Sequence, residues 1–204
     1  MSRSITISRE FGSGGRELGR RLAEQLGMAY YDQEIVSEIA RRTDLAEHYV
    51  EQIVEQKRLV PFPIHVGRSF YPIQNPVFQM QQKILLEQHK IICEMAEKSD
   101  CVVVGRCADY ILRDHGPFRI FVYAGMESKI MRCRKKAADD SDLTDQELRR
   151  QIAAIDRNRA AYYRDYTGLQ WGEKKNYDLC INTTDVVIKE IIPSLAQLLH
   201  SIKG

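Results

Sequence analysis

A chain of 204 residues, 44% hydrophobic and 28% charged, is long enough for one sizeable core and has the balance of a globular domain rather than a disordered tail. Thirty basic residues against twenty-eight acidic ones leave a formal charge of +2, which excludes a protein that coats nucleic acid through bulk charge; any anion binding has to be local. No apolar run approaches the ~20 residues that span a bilayer. The first ten residues carry Arg3, Arg9 and Glu10 instead of a signal-peptide core, so the expected address is the cytoplasm, away from membranes. Cys93, Cys101, Cys107, Cys133 and Cys180 are scattered without a C-x-x-C pair, as are the five histidines, so neither a disulfide framework nor a zinc site is expected.

In chain order, Ser4–Ser8 is a short β-branched run that predicts a strand. The cluster Gly12-Ser13-Gly14-Gly15 follows, then an amphipathic helix from about Arg16 to Gln25 with Leu18, Leu22 and Leu26 at four-residue spacing, closed by Gly27. Met28–Tyr31 reads as a second strand, and Asp32 as the N-cap of a helix holding Ile35, Val36, Ile39 and Ala40. Residues 44–57 look helical. The stretch 59–76 holds four of the six prolines along with Phe62, Phe70 and Tyr71, and reads as a flap or an interface. A long helix is predicted over 77–98.

Cys101–Val104 is a continuous apolar run ending in Gly105, the pattern of a strand buried on both faces of a parallel sheet. Phe118–Tyr123 predicts another strand and Met126–Lys136 a helix, before an acidic break at 137–142. Thr144 and Glu147 form a T-x-x-E capping box that starts a helix reaching about Arg164. Tyr177–Asn182 is the last predicted strand and 185–200 a closing helix. Five alternations of strand and helix predict an α/β fold, a parallel sheet covered by helices on both faces, with Ile5–Ile7 and Val102–Val104 at its centre.

The run from Ile5 to Gly19 carries the strongest chemical signal, a strand entering a glycine-rich turn and then a helix. Glycines let successive N–H groups point inward and the helix start adds partial positive charge, which together form an anion cradle. Against the phosphate-loop pattern G-x-x-x-x-G-K-[ST], Glu10 stands at the first glycine, Arg16 at the lysine and Glu17 at the hydroxyl residue. Arg16 could clamp phosphate bidentately. Glu17 could hold magnesium, or pair with Arg21 at helical spacing. Gly105-Arg106, at the carboxyl end of a buried strand, lies where open α/β sheets bind ligands. Arg132, Arg134, Arg149, Arg150, Arg157, Arg159 and Arg164 make residues 132–164 dense in arginine; Arg150, Arg157 and Arg164, seven apart, fall near one helical face. Such a run is either a solvated face or the charge-stabilising segment that phosphoryl transfer requires.

Ile7–Gly19, Tyr30-Tyr31-Asp32, Val104-Gly105-Arg106, Phe121–Ala124 with Arg132, Asp156-Arg157-Asn158-Arg159 and Tyr177–Thr183, in this order, resemble the cytidylate kinase-like branch of the nucleoside monophosphate kinases across nearly the whole chain. The resemblance implies a P-loop NTPase fold with a five-stranded parallel sheet, a flap over about 41–76, an arginine-bearing lid over about 137–165, and a core over about 1–40 and 77–204. It implies transfer of the ATP γ-phosphate, with Mg2+, to CMP or dCMP. Partners would be small nucleotides, with no nucleic acid polymer and a monomer or homodimer as the assembly.

By the same resemblance Gly12, Ser13, Gly14, Gly15, Arg16 and Glu17 would bind the ATP phosphates, and Glu17 the metal. Arg106 would hold the acceptor phosphate, with Asp32 beside it. Arg16, Arg132, Arg157 and Arg159 would act on the transferring group, and Asp156 would orient an arginine or the acceptor sugar. The family's G-R-D reads Gly105-Arg106-Cys107 here, with Asp109 as the substitute acid. Its arginine after the second strand is absent, with Arg41 and Arg42 a turn later. A kinase for another small acceptor, or a nucleotide-binding module with little catalysis, are the alternatives.

Overall fold

The computed structural model describes residues 2–56, 76–136 and 143–202. Five strands, β1 (Ser4–Arg9), β2 (Ala29–Tyr31), β3 (Cys101–Val104), β4 (Phe118–Tyr123) and β5 (Leu179–Asn182), form one parallel sheet in the order β2-β3-β1-β4-β5. Thr6 of the central strand faces Val103 on one side and Arg119 on the other. Neither Ile5–Ile7 nor Val102–Val104 lies on an edge, as their continuous apolar character requires.

The helices are α1 (Gly15–Leu26), α2 (Gln33–Thr43), α3 (Glu47–Glu51), α4 (Pro76–Lys98), α5 (Ala108–Ile111), α6 (Met126–Lys136), α7 (Asp145–Thr167) and α8 (Ile188–Ser201). Because strand side chains alternate, β3 feeds both cores. Val102 and Val104 join Ile5, Ile7, Ile120 and Val122 under α1 and α8, while Cys101 and Val103 pack with Ile35, Ile39, Ile84, Ile91 and Tyr162 under α2, α4 and α7. Leu18 and Leu22 of α1 are fully buried, so the helix that starts at the glycine turn is anchored by its apolar stripe.

Several boundaries differ from the sequence prediction. The 44–57 segment is α3 followed by a π-helical turn, Gln52–Gln56. The last strand starts at Leu179 because Lys174–Asn176 makes a 3-10 turn and Tyr177 packs on Phe121. The closing helix starts at Ile188, since Asp185 takes a left-handed φ of 56° and interrupts the turn before it. The capping box at Thr144 forms as predicted, with Thr144 and Glu147 bonded reciprocally. Most of the proline- and aromatic-rich stretch and the acidic break, residues 57–75 and 137–142, lie outside the described residues.

Candidate active site

The end of β1 turns at Phe11–Gly14 into α1. Gly12 and Gly14 sit at φ 73° and 82°, a region an L side chain enters only at a cost, and Gly14 is the N-cap of α1 with no side chain bonded to the exposed helix end. An oriented set of N–H groups at a helix start with no side-chain acceptor is the physical form of a phosphate cradle. The Ser13 hydroxyl donates to the Glu10 carbonyl at 2.8 Å and the Thr183 hydroxyl donates to the Ser13 carbonyl at 2.7 Å, so Ser13 stiffens the turn.

A buried lysine holds the loop from beneath. Lys129 of α6 lies 2.7 Å from the Glu10 carboxylate and 3.0 Å from that of Asp156 on α7. The Phe11 N–H donates to the other Asp156 oxygen at 2.7 Å, and the Ala124 N–H to Glu10 at 3.2 Å. Burial works to lower the Lys129 pKa, but the hydrogen bonds to Glu10 and Asp156 outweigh it and hold the ammonium above its ordinary value. Asp156 thus grips the loop and Lys129, where the resemblance implied an arginine or a sugar. Sequence reading missed Lys129 altogether; a lysine amid the charges of Met126–Lys136 carries no local mark of burial.

Arg16 lies at the start of α1 as predicted, half exposed, with its Nε 2.6 Å from Asp32. Asp32 ends up at the N-cap of α2, yet its side chain makes no cap hydrogen bond. The carboxylate is spent on Arg16, on Arg9 at 3.8 Å and on the Tyr30 hydroxyl, which donates at 3.4 Å. Burial, then the Asp32 charge, push Tyr30 up to about 12. Glu17 pairs with Arg21 at 2.9 Å, the second of the two roles open to it.

Arg132 donates to the carbonyls of Thr183, Val186 (3.1 Å) and Gly12 (3.5 Å), stapling the loop to the segment before α8. Arg159 reaches the loop from α7, donating to the Arg9 carbonyl at 3.3 Å with its guanidinium 5.8 Å from the Phe11 ring centre. Arg157 does not. Two residues apart on a helix, they point about 200° apart; Arg157 is exposed, as are Arg150 and Arg164 in register with it, so the seven-residue repeat is the solvated face. Between the loop, the end of α6 and the start of α7 opens a cavity of about 620 Å³, lined by Gly12, Gly14, Gly15, Arg16, Glu17, Arg132 and Arg159 and backed by Phe11, Leu148 and Ile152.

At the end of β3, Gly105, Arg106 and Cys107 take φ values of 75°, 57° and 52°, three left-handed residues in succession. A non-glycine residue there costs about 1–2 kcal/mol, a strain that persists only where surrounding structure imposes it. The turn buries Arg106, whose carbonyl accepts from the Gln88 side chain at 3.1 Å. A second, smaller cavity of about 30 Å³ lies against it, walled by Arg9, Arg106, Arg159, Val54, Tyr162, Tyr163 and Trp171. Cys107 is buried, and desolvation raises its thiol well above the ordinary range. Asp109, the expected substitute acid, is buried and accepts from the Tyr163 hydroxyl at 2.7 Å, tying α5 to α7. Arg41 and Arg42 line neither cavity and pair through Glu38 at 2.7 Å, whose carboxyl they hold down to about 2.

Among the described residues no three His, Cys, Asp or Glu gather to hold a metal, and no helix is long and apolar enough to cross a membrane. Of the loop carboxylates, Glu17 pairs with Arg21 on the cavity side of α1 and Glu10 with the buried Lys129.

Comparison with solved structures places the fold. An uncharacterised protein from Eubacterium ventriosum superposes with a TM-score of 0.71 at 23% identity, covering 98% of this chain and 100% of that one. Shikimate kinase from Bacteroides thetaiotaomicron gives 0.58 at 14% identity, over 97% and 98%. A sugar kinase from Janibacter sp. gives 0.53 at 12% identity, over 98% and 95%. The fold is that of the P-loop kinases. A comparison with curated protein sequences finds no match. The model of the cytidylate kinase-like family matches residues 4–185, nearly the whole chain, and the chain belongs to the cytidylate kinase-like family.

Proposed function

We propose that this chain is an ATP-dependent phosphotransferase whose acceptor is a nucleoside monophosphate, CMP or dCMP. The observation that carries the reading is the pair of cavities: a large one on the glycine loop, sized for a nucleoside triphosphate, and a small arginine-lined one beside it. ATP would lie in the first with its phosphates on the N–H groups of Gly12–Arg16. The acceptor phosphate would lie against Arg106 in the second. An acceptor oxygen attacks the γ-phosphorus, the bond to the β–γ bridging oxygen breaks, and ADP leaves with the electron pair. The chain's residues hold the two anions in line and stabilise the charge on the transferring group. Magnesium would enter with the nucleotide phosphates and neutralise part of their charge; Glu17, on the cavity wall, is the nearby carboxylate proposed to face it.

A second reading, a small non-nucleotide acid as acceptor, is favoured by the 30 Å³ volume of the arginine pocket. One assay separates them: ADP release from MgATP in the presence of each nucleoside monophosphate and of a panel of small hydroxy acids. The first reading expects turnover with CMP or dCMP above all others. Turnover only with a hydroxy acid would replace it by the second, and ATP binding without transfer to any acceptor would refute both.

A further inference from the structure

We propose that Arg9, the last residue of β1, is a catalytic residue that touches both the transferring phosphoryl group and the acceptor anion, a second cation at the strand end beside Arg16 at the helix start. The proposal rests on the phosphotransferase reading above.

Arg9 and Arg159 line the large cavity and the small one alike, so they stand where donor and acceptor would meet. The fold makes a slot for Arg9. A Cβ on Gly15 would come within 2.5 Å of the Arg9 Cβ, and one on Gly105 would fall on its guanidinium. Two glycines on different elements therefore give way, one to the stem and one to the head of the same side chain. The head runs from β1 across the end of β3 toward Asp32, after β2, which lies 3.8 Å away and fixes its direction. The side chain is only 7% exposed. Arg16, by contrast, occupies the lysine position with its head half exposed and turned to Asp32.

A buried guanidinium between two anions offers planar, paired donors to both and stays charged throughout. It offsets the repulsion between acceptor phosphate and γ-phosphate as they approach, and exchanges no proton. The acceptor-oxygen bond to phosphorus forms and the bridging bond breaks without any change at Arg9 itself.

The test compares wild type with Arg9→Lys, which keeps a buried cation and most of the stem, and Arg9→Ala. With MgATP and CMP, Arg9→Lys is expected to lower kcat by ~10²-fold or more, while ADP affinity by calorimetry and the melting temperature stay close to wild type. Guanidinium ion at low millimolar concentration should restore part of the turnover to Arg9→Ala and none to Arg9→Lys. Wild-type turnover in Arg9→Lys, within about threefold, would overturn the proposal. If the wild type transfers phosphate to no monophosphate, the phosphotransferase reading fails by itself. The role of Arg9 is then read from inorganic phosphate binding to the ADP-loaded protein, expected to weaken at least tenfold in Arg9→Lys; equal binding would overturn it.

Discussion

Replacing Lys129 by Met removes the cation beneath the phosphate loop while keeping a side chain of similar length. Stripping one partner from a fully buried ion pair costs about 3–5 kcal/mol. Lys129 is 6% exposed, while the side chains it leaves behind, Glu10 and Asp156, are 26% and 16% exposed. Each also keeps a main-chain donor, Ala124 and Phe11 respectively. Water and these amides recover part of the loss, but two carboxylates now face each other across the vacated site, so about 2–4 kcal/mol is expected. For a domain of this size that is a fall in melting temperature of roughly 4–16 °C. Urea unfolding should show the midpoint shift with an unchanged slope. Lys129 is shifted upward from 10.5, so its contribution is fully present below that value and is lost only as pH rises through the folded one. The gap between variant and wild type should therefore stay constant from about pH 6 to 9. A double-mutant cycle with Asp156→Asn should return a coupling of about 1–3 kcal/mol. A loss under about 1 kcal/mol, or no coupling, would refute the view that this triad organises the loop.

The two neighbouring arginines of α7 should separate cleanly. Arg159→Ala is expected to lower turnover by ~10²-fold or more, whereas Arg157→Ala, on the solvated face, should leave both turnover and stability within about 0.5 kcal/mol of wild type; equal losses in steady-state kinetics would contradict the helical geometry. Asp109 is pushed above its ordinary pKa by burial, against the opposing Tyr163 hydrogen bond. A raised carboxyl pKa means stability is lost as pH rises from the unfolded value through the folded one. Asp109→Asn, which still accepts from Tyr163, should therefore melt higher than wild type at pH 8, with the margin shrinking toward pH 4. A lower melting temperature at pH 8 would mean the ionised carboxylate stabilises the fold.

The alternation of apolar runs, the glycine cluster, the Thr144–Glu147 box and the four-residue leucine spacing after Gly15 are signals within a few residues, and they determine the parallel sheet, its helices and the position of the glycine turn at the start of α1. Local chemistry suffices there because backbone geometry and periodic burial are set by near neighbours. Partner choice is different. Asp32 has the sequence position of an N-cap, but Arg16, sixteen residues earlier, takes its carboxylate. Asp156 lies 145 residues from the Phe11 amide it accepts from, and Lys129 is buried only because α6 packs beneath Gly12. Arg157 and Arg159 read alike in the chain and part ways by two residues of helical rotation. Arg9 is one charge among many in the chain, and only the fold brings Gly15 and Gly105, far apart in sequence, to clear a path for its side chain. A charged side chain is satisfied by whatever the fold brings within about 3 Å, and only the tertiary structure decides which group that is.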